Sequence, residues 1–213
     1  MRWGGLLLVF WMLAAGLRAG ESISFAQLLE EGGLAFEPPR GFHEVPVEPD
    51  YVMPYEARYR SDDGKLEVRY AIRPLNRIQI DYDDPHNAAP APNDLFNMLF
   101  RTLSETLAVD HQVISRTYPL EKAREEYNAG WVAVGVFDLS PDISRQYRQA
   151  MLFALHQNDK ADAYLLFLTN DLAEEKARIQ AARTSLKFRT FETPINQPPS
   201  PEALKNLPMI PEK

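Results

Sequence analysis

Residues 146–188 constrain the fold most, because they predict a strand, a polar turn, a second strand and a helix in unbroken succession. In residues 146–156, large apolar side chains recur at every second position, which is typical of a strand with one face against a core. Residues 157–162 are polar and predict a reversal of the chain. Residues 163–169 are apolar on both faces, which favours an interior strand covered on two sides.

A helix is expected directly after the second strand. Asp171 can accept a hydrogen bond from the backbone amide of Glu174, and the Glu174 side chain can reach back as in a capping box. The apolar residues that follow share one narrow helical face, and they are Leu172, Ile179, Ala182 and Leu186. We therefore expect a hairpin with one helix packed on it.

Charge and cysteine content exclude several classes of function. The 213-residue chain has a formal net charge of −7, which argues against nucleic acid and anionic lipid as main partners. It contains no cysteine, so disulfides, thiolate catalysis and cysteine-ligated zinc are excluded. The apolar share of 45% is enough for a real core.

The first twenty residues predict export. Arg2 precedes an apolar run at residues 6–15, and small residues follow, with cleavage expected near Ala19 or Gly20. The apolar run is shorter than the roughly 20 residues that a membrane span needs. We expect a cleaved signal peptide at residues 1–20, a periplasmic or secreted protein and no integral membrane insertion after cleavage. An uncleaved N-terminal anchor is the alternative.

The remaining chain divides into three parts. Residues 21–34 predict a short lead-in helix, and residues 35–191 predict a single α+β domain. Residues 192–213 are rich in proline and predict an extended tail. No internal repeat was found.

Several elements are expected inside the domain. Residues 55–60 and 65–73 alternate around the glycine-containing turn at residues 61–64, which predicts a hairpin. Its polar positions are interpreted as a face toward water: Glu56, Arg58, Arg60, Lys65, Glu67, Arg69 and Arg73. Ile78, Ile80 and Tyr82 are interpreted as another short strand. Asn93 is interpreted as the N-cap of a helix running to about Val109, and residues 112–118 and 131–137 as further strands.

In this order, the elements indicate an α+β fold with an antiparallel sheet flanked by helices. The chain resembles the PsbP/DcrB-like superfamily over roughly residues 35–190. The resemblance depends on Gly41-Phe42 ahead of the early hairpins, on the helix at residues 93–109 and on residues 147–188. It implies an α/β/α sandwich and a binding or accessory role, and it carries over no catalytic residues.

Candidate metal ligands cluster in one loop. Asp81, Asp83, Asp84 and His86 lie within six residues, and such carboxylates with an imidazole can hold a divalent cation. The spacing does not match a calcium-binding loop, because Asp84-Pro85 occupies the place of the third ligand and the glycine. A solvated turn is the favoured interpretation and a metal site the alternative. No other cofactor is predicted.

Other chemical motifs are weak. His43, His86, His111 and His156 have no ligand spacing, and His156 is interpreted as a residue at the rim of a strand. No serine-nucleophile or phosphate-loop motif occurs. One set of aromatic residues is interpreted as core, with a ligand groove as the alternative: Tyr51, Tyr55, Tyr59, Tyr70, Tyr82 and Trp131.

The sequence thus favours an exported, non-enzymatic accessory protein of the cell envelope that binds a protein partner. A metal or small-ligand carrier that uses the loop or the tyrosine-lined groove is the alternative, and an enzyme is the least favoured class.

Overall fold

The computed structural model describes residues 23–50, 52–81, 83 and 89–190. Within them an antiparallel sheet lies between two layers of helix and loop, so the predicted α+β class and sandwich arrangement are confirmed. The helices are α1 (Phe25–Glu31), α2 (Phe96–Leu107), α3 (Leu120–Tyr127) and α4 (Leu172–Ala182). The strands are β1 (Leu34–Phe36), β2 (Phe42–Glu44), β3 (Ala57–Ser61), β4 (Leu66–Pro74), β5 (Ile114–Thr117), β6 (Trp131–Asp138), β7 (Gln149–Gln157), β8 (Ala161–Thr169) and β9 (Leu186–Phe188).

The main sheet has seven strands in the order β2-β3-β4-β8-β7-β6-β5, and every neighbouring pair is antiparallel. Strand β8 lies at the centre and all nine of its residues are buried, which confirms the predicted interior strand. Strands β1 and β9 form a separate antiparallel pair. The order places β2 and β5 at the two edges of the main sheet.

The sheet has two covered faces, one on each side of the strands. We call the side of Val68 and Phe167 the first face, and helices α1, α3 and α4 supply Leu28, Ala123 and Ile179 to its core. Ala71 and Leu166 lie on the opposite, second face, where helix α2 contributes Phe100, Leu103 and Leu107. Successive apolar side chains of β7 and β8 point to opposite faces, so both strands contribute to the core on each face.

Local sequence accounts for the start of two helices. The Asp171 side chain accepts hydrogen bonds from the amides of Ala173 and Glu174, so the predicted N-cap of α4 is confirmed. Glu174 does not complete a capping box, because its carboxylate binds Lys65 Nζ at 2.6 Å. A capping box forms instead at α1, between Ser24 and Gln27.

Three further local predictions are wrong. Ile78 and Ile80 lie in irregular chain after a 3-10 turn and form no strand. Asn93 does not cap α2, because its side chain bonds Asp159 across a gap of 66 positions in the sequence. The polar face of the β3–β4 hairpin is not open to water, since Arg58, Glu67 and Arg69 are all at most 5% exposed.

Among the described residues, no helix is both long enough and apolar enough to cross a membrane. The predicted signal peptide and the predicted proline-rich tail lie outside the described residues.

Candidate functional site

The candidate metal loop is only partly described. Asp81 and Asp83 belong to a tight turn in which the Asp83 amide donates to Asp81 Oδ1 at 3.0 Å. Asp84 and His86 lie outside the described residues. Within the described part of the chain, no three carboxylate or histidine side chains are grouped to hold a metal ion. The metal alternative therefore stays a prediction.

The aromatic residues proposed for a groove are divided between the two faces of the sheet. Tyr59 and Tyr70 belong to the core on the first face, where their rings pack edge to face at 5.9 Å. Tyr55 lies in the core on the second face, with Trp131 packed at its margin. Tyr51 and Tyr82 are outside the described residues. The four described residues do not line a common groove, because the sheet separates them.

A network of buried charges occupies the second face of the β3–β4 hairpin. The Glu67 carboxylate accepts from Arg58 Nη2 at 2.8 Å, from Arg60 Nη2 at 2.9 Å and from Arg69 Nε at 3.0 Å. Burial raises the pKa of Glu67, but the hydrogen bonds and charges of the three arginines outweigh it and hold the pKa below its ordinary value. Glu67 is therefore a charged carboxylate inside the protein.

The chain that precedes β3 covers this network. Arg58 Nη1 donates to the Pro46 carbonyl and pairs with Glu48 at 2.6 Å, while Arg69 pairs with Asp50 at 3.0 Å and lies over the Tyr55 ring. Each buried arginine thus has carboxylate partners within the chain. An external anion is not needed to neutralise them, and we interpret the network as structural.

A shallow depression of about 150 Å³ lies at the margin of this network. Its walls include Asp50 and Arg69, whose charged groups already bind each other. A depression of this size, below the ~300 Å³ of typical small-ligand sites, is too small for most metabolites.

His156 is buried, so its interpretation as a rim residue is wrong. It is 2% exposed, its Nδ1 lies 2.7 Å from Asp162 Oδ1, and its Nε2 lies 2.8 Å from Asn158 Oδ1. The Phe96 ring stacks on the imidazole at 4.2 Å. Burial raises the pKa of Asp162, while the hydrogen bond from His156 acts in the opposite direction. With both ring nitrogens bonded and the ring covered, His156 is arranged as a packing group and not as a general base.

An apolar row on the first face of the sheet is left uncovered at the β5 edge. A row of directly opposed residues crosses the first face from strand to strand: Tyr59, Val68, Phe167, Met151, Val136 and Ile114. Tyr59, Val68 and Phe167 are buried, whereas Met151 and Val136 are only partly buried and Ile114 is 82% exposed. An apolar row thus passes out of the core and ends uncovered at the edge.

Strand β5 itself is exposed along its whole length. All four of its residues are exposed, and β6 is its only strand neighbour within the described residues. Arg116 lies next to Ile114 on the same face, with its guanidinium 5.7 Å from the centre of the Tyr118 ring. Among the described residues Ile114 is the most exposed large apolar side chain. We call Ile114, Arg116 and Val136, with the open backbone of β5, the β5 edge surface.

Comparison with known proteins concerns the fold alone. No family model and no curated protein match the chain. Its structure is similar to the solution structure of cyanobacterial PsbP (CyanoP) from Synechocystis sp. PCC 6803, with a TM-score of 0.42 and 13% sequence identity. The similarity covers 83% of this chain and 99% of that chain. Such a likeness carries no statement about a site or a partner.

The sequence contained the strand at Ile114 but not its position in the sheet. The sequence pattern of residues 112–118 predicts a strand. Sheet order depends on contacts between distant segments, so the same pattern fits an interior strand and an edge strand equally well. The low hydrophobicity of Ser115, Arg116 and Thr117 is the one local signal of an edge.

Proposed function

We propose that the chain is an exported, non-enzymatic accessory protein that acts by binding another protein through the β5 edge surface. The observation that carries the proposal is the 82% exposure of Ile114 at one end of an apolar row whose other end, at Tyr59, Val68 and Phe167, lies in the core. Exposed apolar residues that continue a buried cluster are typical of protein–protein contact sites.

The polar clusters support a non-enzymatic role. Glu67 and its arginines neutralise one another, and both nitrogens of His156 are bonded within the fold. Catalytic groups need access to a substrate and at least one unsatisfied position toward it. Neither cluster is arranged in that way.

Export is supported by the sequence of residues 1–20, with their short apolar run and small residues near Ala19. The N-terminal sequence of the protein recovered from a periplasmic or secreted fraction tests it. A new N-terminus beside Ala19 or Gly20 is the expected result. An intact Met1 on membrane-bound protein would instead favour the uncleaved anchor.

Partner binding is tested by capture from an envelope extract with matched variants. Ile114→Asp places a charge on the β5 edge surface, and Val47→Asp makes the same change at a residue that is 49% exposed near the opposite edge. A partner retained by the parent protein and by Val47→Asp but lost by Ile114→Asp supports the proposal. A partner lost only when residues 192–213 are deleted would assign the contact to the tail instead.

A further inference from the structure

The backbone of β5 offers hydrogen-bonding groups to the outside of the sheet. In the register that pairs Thr117 with Ala133, the Tyr118 amide donates to the Val132 carbonyl at 2.9 Å. Residues of an antiparallel strand alternate between bonding toward one neighbour and toward the other. Arg116 and Ile114 therefore bond toward β6, and the N–H and C=O groups of Ser115 and Thr117 point away from it.

The two edges of the main sheet differ in protection. Strand β2 has three residues and runs into Val45 and Pro46, so a further strand could pair with it over a short distance only. Strand β5 has four residues before Tyr118 and Pro119 and, unlike β2, it carries an exposed large apolar side chain, Ile114. Since exposed edge strands are templates for added strands, β5 is the edge that can accept one.

The side chains of β5 define what an added strand must carry. Ile114 lies on the first face beside the partly buried Val136, so a residue opposite Ile114 contacts apolar surface. Arg116 lies on the same face, is exposed and forms no ion pair within the described residues. This exposed cation favours a carboxylate opposite it.

We propose that β5 binds an extended segment of a partner protein as an additional strand, with an apolar residue opposite Ile114 and an acidic residue opposite Arg116. Side chains opposite Ile114 and Arg116 are two positions apart whether the added strand is parallel or antiparallel, because strands have a period of two. The partner is therefore recognised by an apolar and an acidic residue two positions apart, with the apolar residue first in a parallel strand and second in an antiparallel one, within a segment free of proline. This inference rests on the proposed function and specifies its mode of contact.

The test uses synthetic peptides and the purified mature protein. The probe is a short, capped, fluorescent peptide of serine and threonine with one valine and one glutamate two positions apart. A second peptide has lysine in place of glutamate, and a third has N-methyl groups on alternate amides so that it cannot pair as a strand. Fluorescence anisotropy measures the affinity for each.

Two protein variants separate backbone pairing from side-chain contact. Ser115→Pro removes an outward N–H and leaves the hydrogen bonds of Ile114 and Arg116 to β6 in place. Edge strands tolerate a proline at such a position. This variant should bind the glutamate peptide with about tenfold lower affinity, as expected for one lost hydrogen bond and a steric block. Arg116→Glu should reverse the preference, so that the lysine peptide binds about tenfold better than the glutamate peptide. Because Arg116 is exposed, this variant is expected to fold even if Ser115→Pro does not.

The outcomes separate this inference from the proposed function. Equal binding of the N-methylated peptide, or no binding of the glutamate peptide to the parent protein, overturns strand addition. If Ile114→Asp then still abolishes partner capture, the contact surface stands and only its mode is wrong. If the peptides behave as expected but capture does not depend on Ile114, strand addition stands and the accessory function does not.

Discussion

Arg58 and Glu67 form an ion pair inside the protein, with Nη2 and Oε2 separated by 2.8 Å and the two side chains 6% and 0% exposed. They belong to the face of the β3–β4 hairpin that the sequence assigned to water. The pair is maintained because Arg60 and Arg69 also bind Glu67, and residues 46–50 with Tyr55 close over it. Burial of such a carboxylate is tolerated only when each of its oxygens has a charged partner.

Glu67→Gln is predicted to destabilise the protein by about 3 kcal/mol at neutral pH, because three arginines then lose a shared carboxylate in a buried site. The pKa of Glu67 is lower in the folded than in the unfolded chain, so its contribution is present above the ordinary value of 4.5 and disappears as the pH falls below it. Urea unfolding at a series of pH values should therefore show parent and variant converging in acid.

Glu174→Gln is the control for this prediction. It removes a carboxylate from an exposed pair with Lys65, and such pairs contribute little to stability. A loss at Glu174 as large as that at Glu67, or a constant difference between parent and Glu67→Gln from neutral to acid pH, would contradict the assignment of Glu67.

His156→Leu is predicted to destabilise the protein by about 3 kcal/mol or more, because it leaves the buried Asp162 carboxylate without its hydrogen-bond donor. The other oxygen of this carboxyl group, Asp162 Oδ2, has no hydrogen-bond partner among the described residues, so it does not compensate for the bond lost at Oδ1. The double variant His156→Leu/Asp162→Leu should recover part of the loss, since it removes the buried carboxyl group as well. Additive effects in this double-mutant cycle would contradict a coupled pair.

Asp171→Ala is predicted to lower the free energy of unfolding by about 1 kcal/mol, because the amides of Ala173 and Glu174 lose their acceptor. Asp171→Ser is the matched control, since a serine hydroxyl can also cap a helix and should retain most of the stability. Chemical unfolding monitored by circular dichroism measures both. Equal losses in the two variants would show that the cap does not account for the effect.

Most of the fold was predictable because its elements have clear local patterns. The alternation in β7, the apolar run of β8 and the cap at Asp171 each specify an element from neighbouring residues alone. The predictions that failed concern contacts between segments that are distant in the sequence. The charged positions of β4 have the period of a solvated face, but residues 46–50 cross over this face and bury them.

The candidate site was less accessible to sequence reasoning than the fold. His156 looked like the end of a strand, yet the chain at Phe96 and at Asp162 encloses it. Ile114 was placed in a strand correctly, but its exposure follows from the order of strands in the sheet. The burial of His156 and the exposure of Ile114 are both determined by contacts between segments far apart in the chain. Such contacts leave no periodic signal in the sequence.

The apolar row on the first face gives a last prediction, which compares its two ends. Phe167 is fully buried, so Phe167→Ala should cost about 3–5 kcal/mol through lost burial and the cavity that remains. Ile114→Ala, at the uncovered end of the same row, should change the free energy of unfolding by no more than about 0.5 kcal/mol. Urea unfolding of the two variants and the parent protein measures both values. A loss above about 1 kcal/mol for Ile114→Ala would mean that another part of the chain covers this residue in solution, and the β5 edge would then not be open to a partner.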